Sequence, residues 1–349
     1  MAYSSINKAA DYQVCTQYTG DGTTSNVVTG VGFQSDLTWI KDRSATTHQM
    51  WFDAVRGVEQ EFQLNSGAAD TFADNSLTAW SADGFTVGNS GNVNTNTNKY
   101  ISFNWKAGTT SGIAGSPSIT PTGYSFNSTA GFSCIKWTGT EANGTLPHGL
   151  GVAPDMIITK TVATGSWYMY TKALGATKAL FVNDSGAAAT ASTYWNDTAP
   201  DANLFTVGTS AGTNDSGQSM IAYCFSGANT NMFRAGKYTG NGNADGTFVY
   251  TGHTPSLIFF KRTDATSNWR CVNNKDGFNG DIGLLHPNLT DQESAGDTIN
   301  ILSNGFKFRN NSADWNANDG EYVYFSWGQP MISNNGTCVT AWGGGIPTL

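Results

Sequence analysis

Apolar and polar residues alternate along the stretch from Ile101 to Trp105. Ile101, Phe103 and Trp105 fall on one side, and Ser102 and Asn104 on the other. The same beat returns where Tyr322, Tyr324 and Ser326 alternate with Val323, Phe325 and Trp327. A period of two in β-branched and aromatic residues predicts strands. The stretches between are rich in Gly, Asn, Ser, Thr and Asp, which supply turns and positive φ angles. No long segment carries a helical period; residues 171–180 suit a turn of helix at most. The expectation is an all-β chain of short strands, a sandwich or a barrel.

The pattern recurs. Tyr18-Thr19-Gly20, Trp137-Thr138-Gly139 and Tyr238-Thr239-Gly240 are one phrase met three times. In each copy a Lys ends an apolar run 21 residues after the Gly: Lys41, Lys160 and Lys261. An aromatic pair follows, read as Trp51-Phe52, Trp167-Tyr168 and Trp269-Arg270. Two more strand phrases complete each copy, around Phe85, Phe205 and Phe306, then around Phe103, Tyr223 and Phe325. Fixed spacing kept three times predicts duplication. The copies are about 90–100 residues each, the size of domains rather than of solenoid units.

The reading is therefore three tandem antiparallel β-sandwich modules. A docking arm covers residues 1–11, repeat 1 residues 12–106, and a Gly/Ser/Thr-rich linker residues 107–131. Repeat 2 covers residues 132–225, a second linker 226–236, repeat 3 residues 237–328, and a tail 329–349. Nine matched residues are expected in the cores: Trp39, Phe85, Phe103, Ile158, Phe205, Tyr223, Phe259, Phe306 and Phe325. The ends keep apolar residues such as Val14, Met331, Ile332 and Trp342 that need covering. Association through residues 1–15 and 329–349 is expected, as a homo-oligomer, most simply a trimer, or on a larger particle.

Composition narrows the classes. Of 349 residues, 39% are hydrophobic and 13% charged, enough for packed cores and not the profile of disorder. The net charge of −8 offers no basic face for nucleic acid. No apolar run approaches the ~20 residues of a membrane span, and the first residues lack a secretion signal. Five cysteines without metal-like spacing, Cys15, Cys134, Cys224, Cys271 and Cys338, read as thiols made in a reducing cytoplasm.

Catalytic patterns are weak. The four His show neither HExxH spacing nor a neighbouring Cys pair, and there is no phosphate loop, nucleophile elbow or dinucleotide fingerprint. Glu59 and Glu61 stand two apart, without counterparts in the other copies. The chain reads as no enzyme, with no cofactor.

One equivalent loop in each copy is rich in Asn and Asp. The candidate contact residues are Asn92, Asn94 and Asn96 in the first copy, and Asp314, Trp315, Asn316 and Asn318 in the third. Such loops either turn a hairpin or bind glycan, and Ca²⁺ held by hard oxygens is a further option. The run Asn241-Gly242-Asn243-Ala244-Asp245-Gly246 has similar oxygen spacing but lacks the distal Glu of an EF-hand. Trp315 either stacks on a sugar or folds back on its own module.

Ser4-Ser5-Ile6-Asn7-Lys8, Gly30-Val31-Gly32-Phe33-Gln34-Ser35-Asp36, Phe103-Asn104-Trp105-Lys106-Ala107-Gly108 and the stretch from Tyr238 to Lys261 carry a resemblance. With them the chain resembles a family of marine bacteriophage structural proteins. That resemblance implies tail-fibre-like virion proteins with concanavalin A-like, laminin-G-like jelly-roll modules. It carries no catalytic residues to transfer. It implies a location in the virion after assembly in the host cytoplasm, other virion proteins as partners, and host-surface glycan as receptor for attachment. A capsid decoration or cement protein is the alternative reading. A polysaccharide depolymerase is the third, and it calls for a carboxylate pair in one long groove.

Overall fold

The computed structural model describes residues 4–331, apart from residues 229, 278, 280, 281 and 297. The chain is all-β, and its three repeats build the same two-layer unit. In the first, one sheet runs in the order Gln13–Thr19, Lys99–Trp105, Leu37–Asp42, Met50–Asp53, Gln60–Gln63, Thr71–Phe72. The second repeats this with Phe132–Thr138, Ser219–Phe225, Met156–Thr161, Tyr168–Thr171, Lys178–Phe181 and Ala189–Thr190. The third uses Phe233–Thr239, Glu321–Pro330, His253–Arg262, Arg270–Asn273, Ile282–Leu285 and Ser294–Gly296. A small sheet covers the outer face of each, centred on Gly84–Val87, Leu204–Val207 or Gly305–Phe308. All pairings are antiparallel, and among the described residues no sheet closes into a barrel.

The alternation read from the sequence marks two buried faces rather than one buried and one wet. Along Lys99–Trp105 every residue after Lys99 is buried. Tyr100 packs outward with Phe85 and Val87 of the small sheet. Ile101, Phe103 and Trp105 point the other way, into a core shared by all three modules. There Trp105 meets Trp51, Phe225 and Trp327 at ring-centroid distances of 6.3, 5.9 and 5.5 Å. Trp39 meets Phe259 at 5.2 Å, and Trp51 meets Tyr223 at 5.3 Å. The nine residues expected in the cores are all buried, none more than 5% exposed.

The large sheets therefore pack on one another, and the chain joins them head to tail into a closed ring. Each seam uses the same pair of backbone hydrogen bonds. Thr47 N–H donates to Thr290 O (2.9 Å), and Glu293 N–H donates to Arg43 O (3.1 Å). Between modules 2 and 1 the matching bonds are Gly165 N–H to Gly67 O (2.8 Å) and Asp70 N–H to Val162 O (2.7 Å). Between modules 3 and 2 they are Ser267 N–H to Ser185 O (2.9 Å) and Ala188 N–H to Thr263 O (3.0 Å). Three-fold arrangement is thus present within a single chain.

The repeated Lys belongs to these seams. Lys41, Lys160 and Lys261 are buried, and burial pushes each ammonium down to about 8. Lys41 Nζ donates to Thr47 O (2.8 Å) and, across the seam, to Thr290 O (3.0 Å). Lys261 Nζ crosses to Ser185 O (3.1 Å). Lys160 Nζ donates to Thr161 O and Ala163 O and lies 5.0 Å from the Phe62 ring of module 1.

Register corrects the aromatic pair. Trp39 pairs with Trp51, Ile158 with Met169, and Phe259 with Cys271, so Trp51 matches Met169 and Cys271. Trp167 and Trp269 match Gln49 instead. Their backbone N–H groups donate to Asn183, Asn288 and Asn65 Oδ1 in turn. Their side chains donate across the three seams. Trp167 Nε1 reaches Gln63 O (3.1 Å), Trp269 Nε1 reaches Phe181 O (2.9 Å), and Gln49 Nε2 reaches His286 O (3.0 Å).

Other boundaries shift as well. Residues 107–131, read as a linker, contain Gly123–Asn127, which pairs with Phe132–Thr138 as an edge strand of module 2. Phe233–Thr239 begins inside the second linker, and Glu321–Pro330 runs past residue 328. Of residues 171–180, only 172–177 lie outside strands, and they form a turn between Tyr168–Thr171 and Lys178–Phe181 rather than helix. Residues 13–15 lie in the edge strand of module 1 rather than in a separate arm. Most of the arm lies on its own chain. Ile6 and Ala9 pack with Met232, Ser4 Oγ donates to Thr230 O, and Ala9 N–H donates to Gln329 Oε1 (2.9 Å). The described cysteines Cys15, Cys134, Cys224 and Cys271 are buried thiols. Cys338, Ile332, Trp342 and the rest of residues 332–349 lie outside the described residues.

Two buried histidines, His148 and His253, and the half-buried His286 predict an acid-sensitive fold. His253 is buried between Asn231 O, to which Nδ1 donates, and Ser326 Oγ–H, which donates to Nε2. Burial lowers His253 from 6.5 to about 3, and His148 and His286 to about 4. A depressed folded-state value means that the unfolded chain binds the proton first. The stability is full above pH 6.5 and is lost as pH falls toward the folded values. Replacing His253 by Gln should remove its share. Below pH 6.5 the wild type should lose stability relative to the variant, with a slope approaching about 1.4 kcal/mol per pH unit. Urea titrations of both proteins between pH 7 and 4 read this; parallel curves would contradict it.

Candidate functional site

The Asn/Asp-rich tips were the expected contact surface, and their geometry explains the repeated Thr-Gly phrase. Asn94, Asn214 and Asn316 are fully buried at equivalent places. Asn94 Oδ1 accepts Asp21 N–H (2.9 Å), and its Nδ2 donates to Asp21 Oδ1 (3.0 Å) and Thr23 O (2.9 Å). Asn214 Oδ1 accepts Thr140 N–H (3.0 Å), and its Nδ2 donates to Thr140 Oγ1 (2.9 Å) and Ala142 O (2.7 Å). Asn316 does the same with Asn241 N–H, Asn241 Oδ1 and Asn243 O. Each Asn pins the loop that follows the repeated Gly.

The Gly permits this approach. Gly20, Gly139 and Gly240 lie so close to Thr95 O, Asp215 O and Ala317 O that a Cβ would overlap the oxygen. Their N–H groups donate to Asn98 O, Gln218 O and Gly320 O at 2.8–2.9 Å. The two tips of modules 1 and 2 carry short helical turns, Gly91–Asn94 and Ala211–Asn214.

Most of the expected contact residues are therefore structural. Asn94 and Asn316 are pins. Trp315, considered as a sugar platform, is 8% exposed and packs edge-on to Phe260, with Arg270 5.7 Å from its ring. Asp314 is held by Arg270 (2.8 Å) and Ser267 Oγ (2.9 Å). Asn92 is half-buried. Asn96 and Asn318 are exposed, and Asn318 Nδ2 donates to Asp319 Oδ2.

The oxygens considered for Ca²⁺ are engaged internally as well. Asn241 Oδ1 accepts Asn243 N–H, Asn243 Oδ1 accepts Asp245 N–H, and Asp245 pairs with Lys307 and Arg309. Among the described residues no group of three or more His, Cys, Asp or Glu is placed to hold a metal ion. Nor is any helix there long and apolar enough to cross a membrane.

Two features were missed in the sequence. Phe248 and Tyr250 project from one face of an edge strand in module 3, 46% and 53% exposed, where module 2 has Thr145 and Pro147. The alternation Phe248, Val249, Tyr250 was the available signal. The second is a cleft of about 280 Å³ at the seam of modules 2 and 3, lined by Ala173, Leu174, Lys178, Lys237, Thr263, Asp264, Glu321 and Tyr322. Its walls come from sequence positions up to 149 residues apart (173 to 322), which only the closed ring brings together.

No curated protein sequence matches the chain. One family model does, and it runs through all three modules and the seams between them. Because it matches residues 8–330, the chain belongs to the family described as Domain of unknown function (DUF7483).

Proposed function

We propose that this chain is a structural protein of a bacteriophage particle surface, with a rigid three-module body that attaches to host-surface glycan. The observation that carries this reading is how its polar chemistry is used. The buried lysines serve the seams, and the buried Asn residues of the tips serve the loops. A body braced in this way suits display of loops and clefts, since binding residues sit on loops positioned by a rigid scaffold. The phrases shared with marine phage structural proteins agree with it. Other virion proteins as partners, and association through residues 329–349, belong to the same proposal.

Purified, fluorescently labelled protein should bind host cells saturably, and antibody against it should label the particle at the tail and block adsorption. Label confined to the capsid, with no cell binding, would instead support the cement alternative. Release of reducing ends from host polysaccharide would overturn the non-catalytic reading.

A further inference from the structure

The three seams share their backbone bonds but differ in the side chain at one loop position. Asp53, Thr171 and Asn273 occupy the same register, paired with Leu37, Met156 and Leu257. Three residues on stand Arg56, Leu174 and Asp276. At the seam of modules 1 and 2, Arg56 is buried and bridges Asp53 (2.6 Å) and Asp70 (2.9 Å). At the seam of modules 3 and 1, Asp276 receives Arg43 (2.9 Å) and Gln17 Nε2 (2.5 Å). A charged side chain fills each of these seams. At the seam of modules 2 and 3 the position is Leu174, which makes no such bridge, and the cleft opens there.

The charges that line this cleft are unevenly committed. Asp264 is held by Arg262 (2.7 Å), and Glu321 Oε1 accepts Thr239 Oγ1–H (3.1 Å). Lys178 and Lys237 enter the same cleft, one half-buried and one exposed, and among the described residues neither ammonium has an acceptor. Two lysines and two carboxylates line the cleft, and Arg262 pairs with one of those carboxylates, Asp264, so the two lysines are its uncommitted charges. Ala173 and Leu174, both half-buried, supply apolar surface between them.

We infer that the cleft between modules 2 and 3 binds a carboxylate-bearing sugar, a uronic-acid-type unit of an acidic glycan. This rests on the glycan-attachment reading above and names its site. The two free ammonium groups pair with the sugar carboxylate. The Asp264 and Glu321 oxygens accept its hydroxyl protons, and the apolar floor meets the C–H face of the ring. A phosphate dianion is matched less well, because both carboxylates face it.

Titration of the full chain with glucuronate, glucose and inorganic phosphate, followed by saturation-transfer NMR, tests this. Glucuronate should bind, with glucose and phosphate each at least tenfold weaker. The double variant Lys178→Ala/Lys237→Ala, checked for an unchanged thermal midpoint, should lose at least tenfold in glucuronate affinity. Equal binding of glucose, equal binding of phosphate, or full binding by the double variant would overturn the inference. Host-cell attachment measured in parallel separates the two claims. Wild-type attachment without glucuronate binding removes the cleft assignment alone. Glucuronate binding without attachment removes the attachment reading alone.

Discussion

Replacing Trp105 by Ala should destabilise the whole chain by about 3–5 kcal/mol, in one transition. Trp105 is 1% exposed and touches aromatic rings from every module: Trp51, Phe225 and Trp327. Truncation leaves a cavity where the three large sheets meet, and close-packed neighbours relax only partly. Against a total stability of typically 5–15 kcal/mol, that is a large share. In guanidinium titrations the midpoint should fall while the slope is kept, because the same surface is still exposed in one step. A second transition, with module 1 melting ahead of the rest, would show that the shared core does not couple the modules.

Removing the pin of one tip should cost almost as much. Asn214→Ala deletes one acceptor and two donated bonds. It strands Thr140 N–H and the Trp137 indole N–H, which also donates to Asn214 Oδ1 (3.2 Å). The Trp137 indole is fully buried, and a buried group left without a partner costs about 1–3 kcal/mol; with the lost bonds of Asn214 added, a loss of about 3 kcal/mol is expected. Asn214→Asp should be nearly as damaging, since a carboxylate cannot donate to Thr140 Oγ1 and Ala142 O. Thermal melts of both variants read this. A loss below about 0.5 kcal/mol, the range of surface substitutions, would mean that the loop does not depend on the pin.

Much of the fold was legible because the repeated residues are those with the least freedom. Gly20, Gly139 and Gly240 recur because any side chain would strike a carbonyl. Lys41, Lys160 and Lys261 recur at a fixed distance because they brace the same part of each seam. Strand class followed from alternation, although both faces proved to be buried.

What was hidden depends on register. Gln49 stands where the other modules have Trp167 and Trp269. What is kept there is a hydrogen-bond donor that crosses a seam, not an aromatic ring, so matching by residue type chose Trp51. The strand Gly123–Asn127 sits among the Gly, Ser and Thr residues that suggested a linker, and only its pairing with Phe132–Thr138 reveals it. The alternating Asn residues around Asn94 look alike in the sequence. Yet Asn94 is buried and Asn96 is exposed, because the helical turn Gly91–Asn94 directs one of them inward. The cleft was invisible for a further reason. It lies at the seam where Leu174 stands in place of a charged residue, and that comparison needs the three seams side by side.

Three sandwiches share one core and close across a seam between modules 1 and 3 that their sequence order leaves unconnected, so they should unfold as one body. Native-state hydrogen exchange at the six seam amides tests it most directly: Thr47, Asp70, Gly165, Ala188, Ser267 and Glu293. All six should exchange only through global unfolding, with one shared free energy and one shared dependence on denaturant. Early exchange of Thr47 and Glu293, with the other four still protected, would contradict it, because the ring would then stand open between modules 1 and 3.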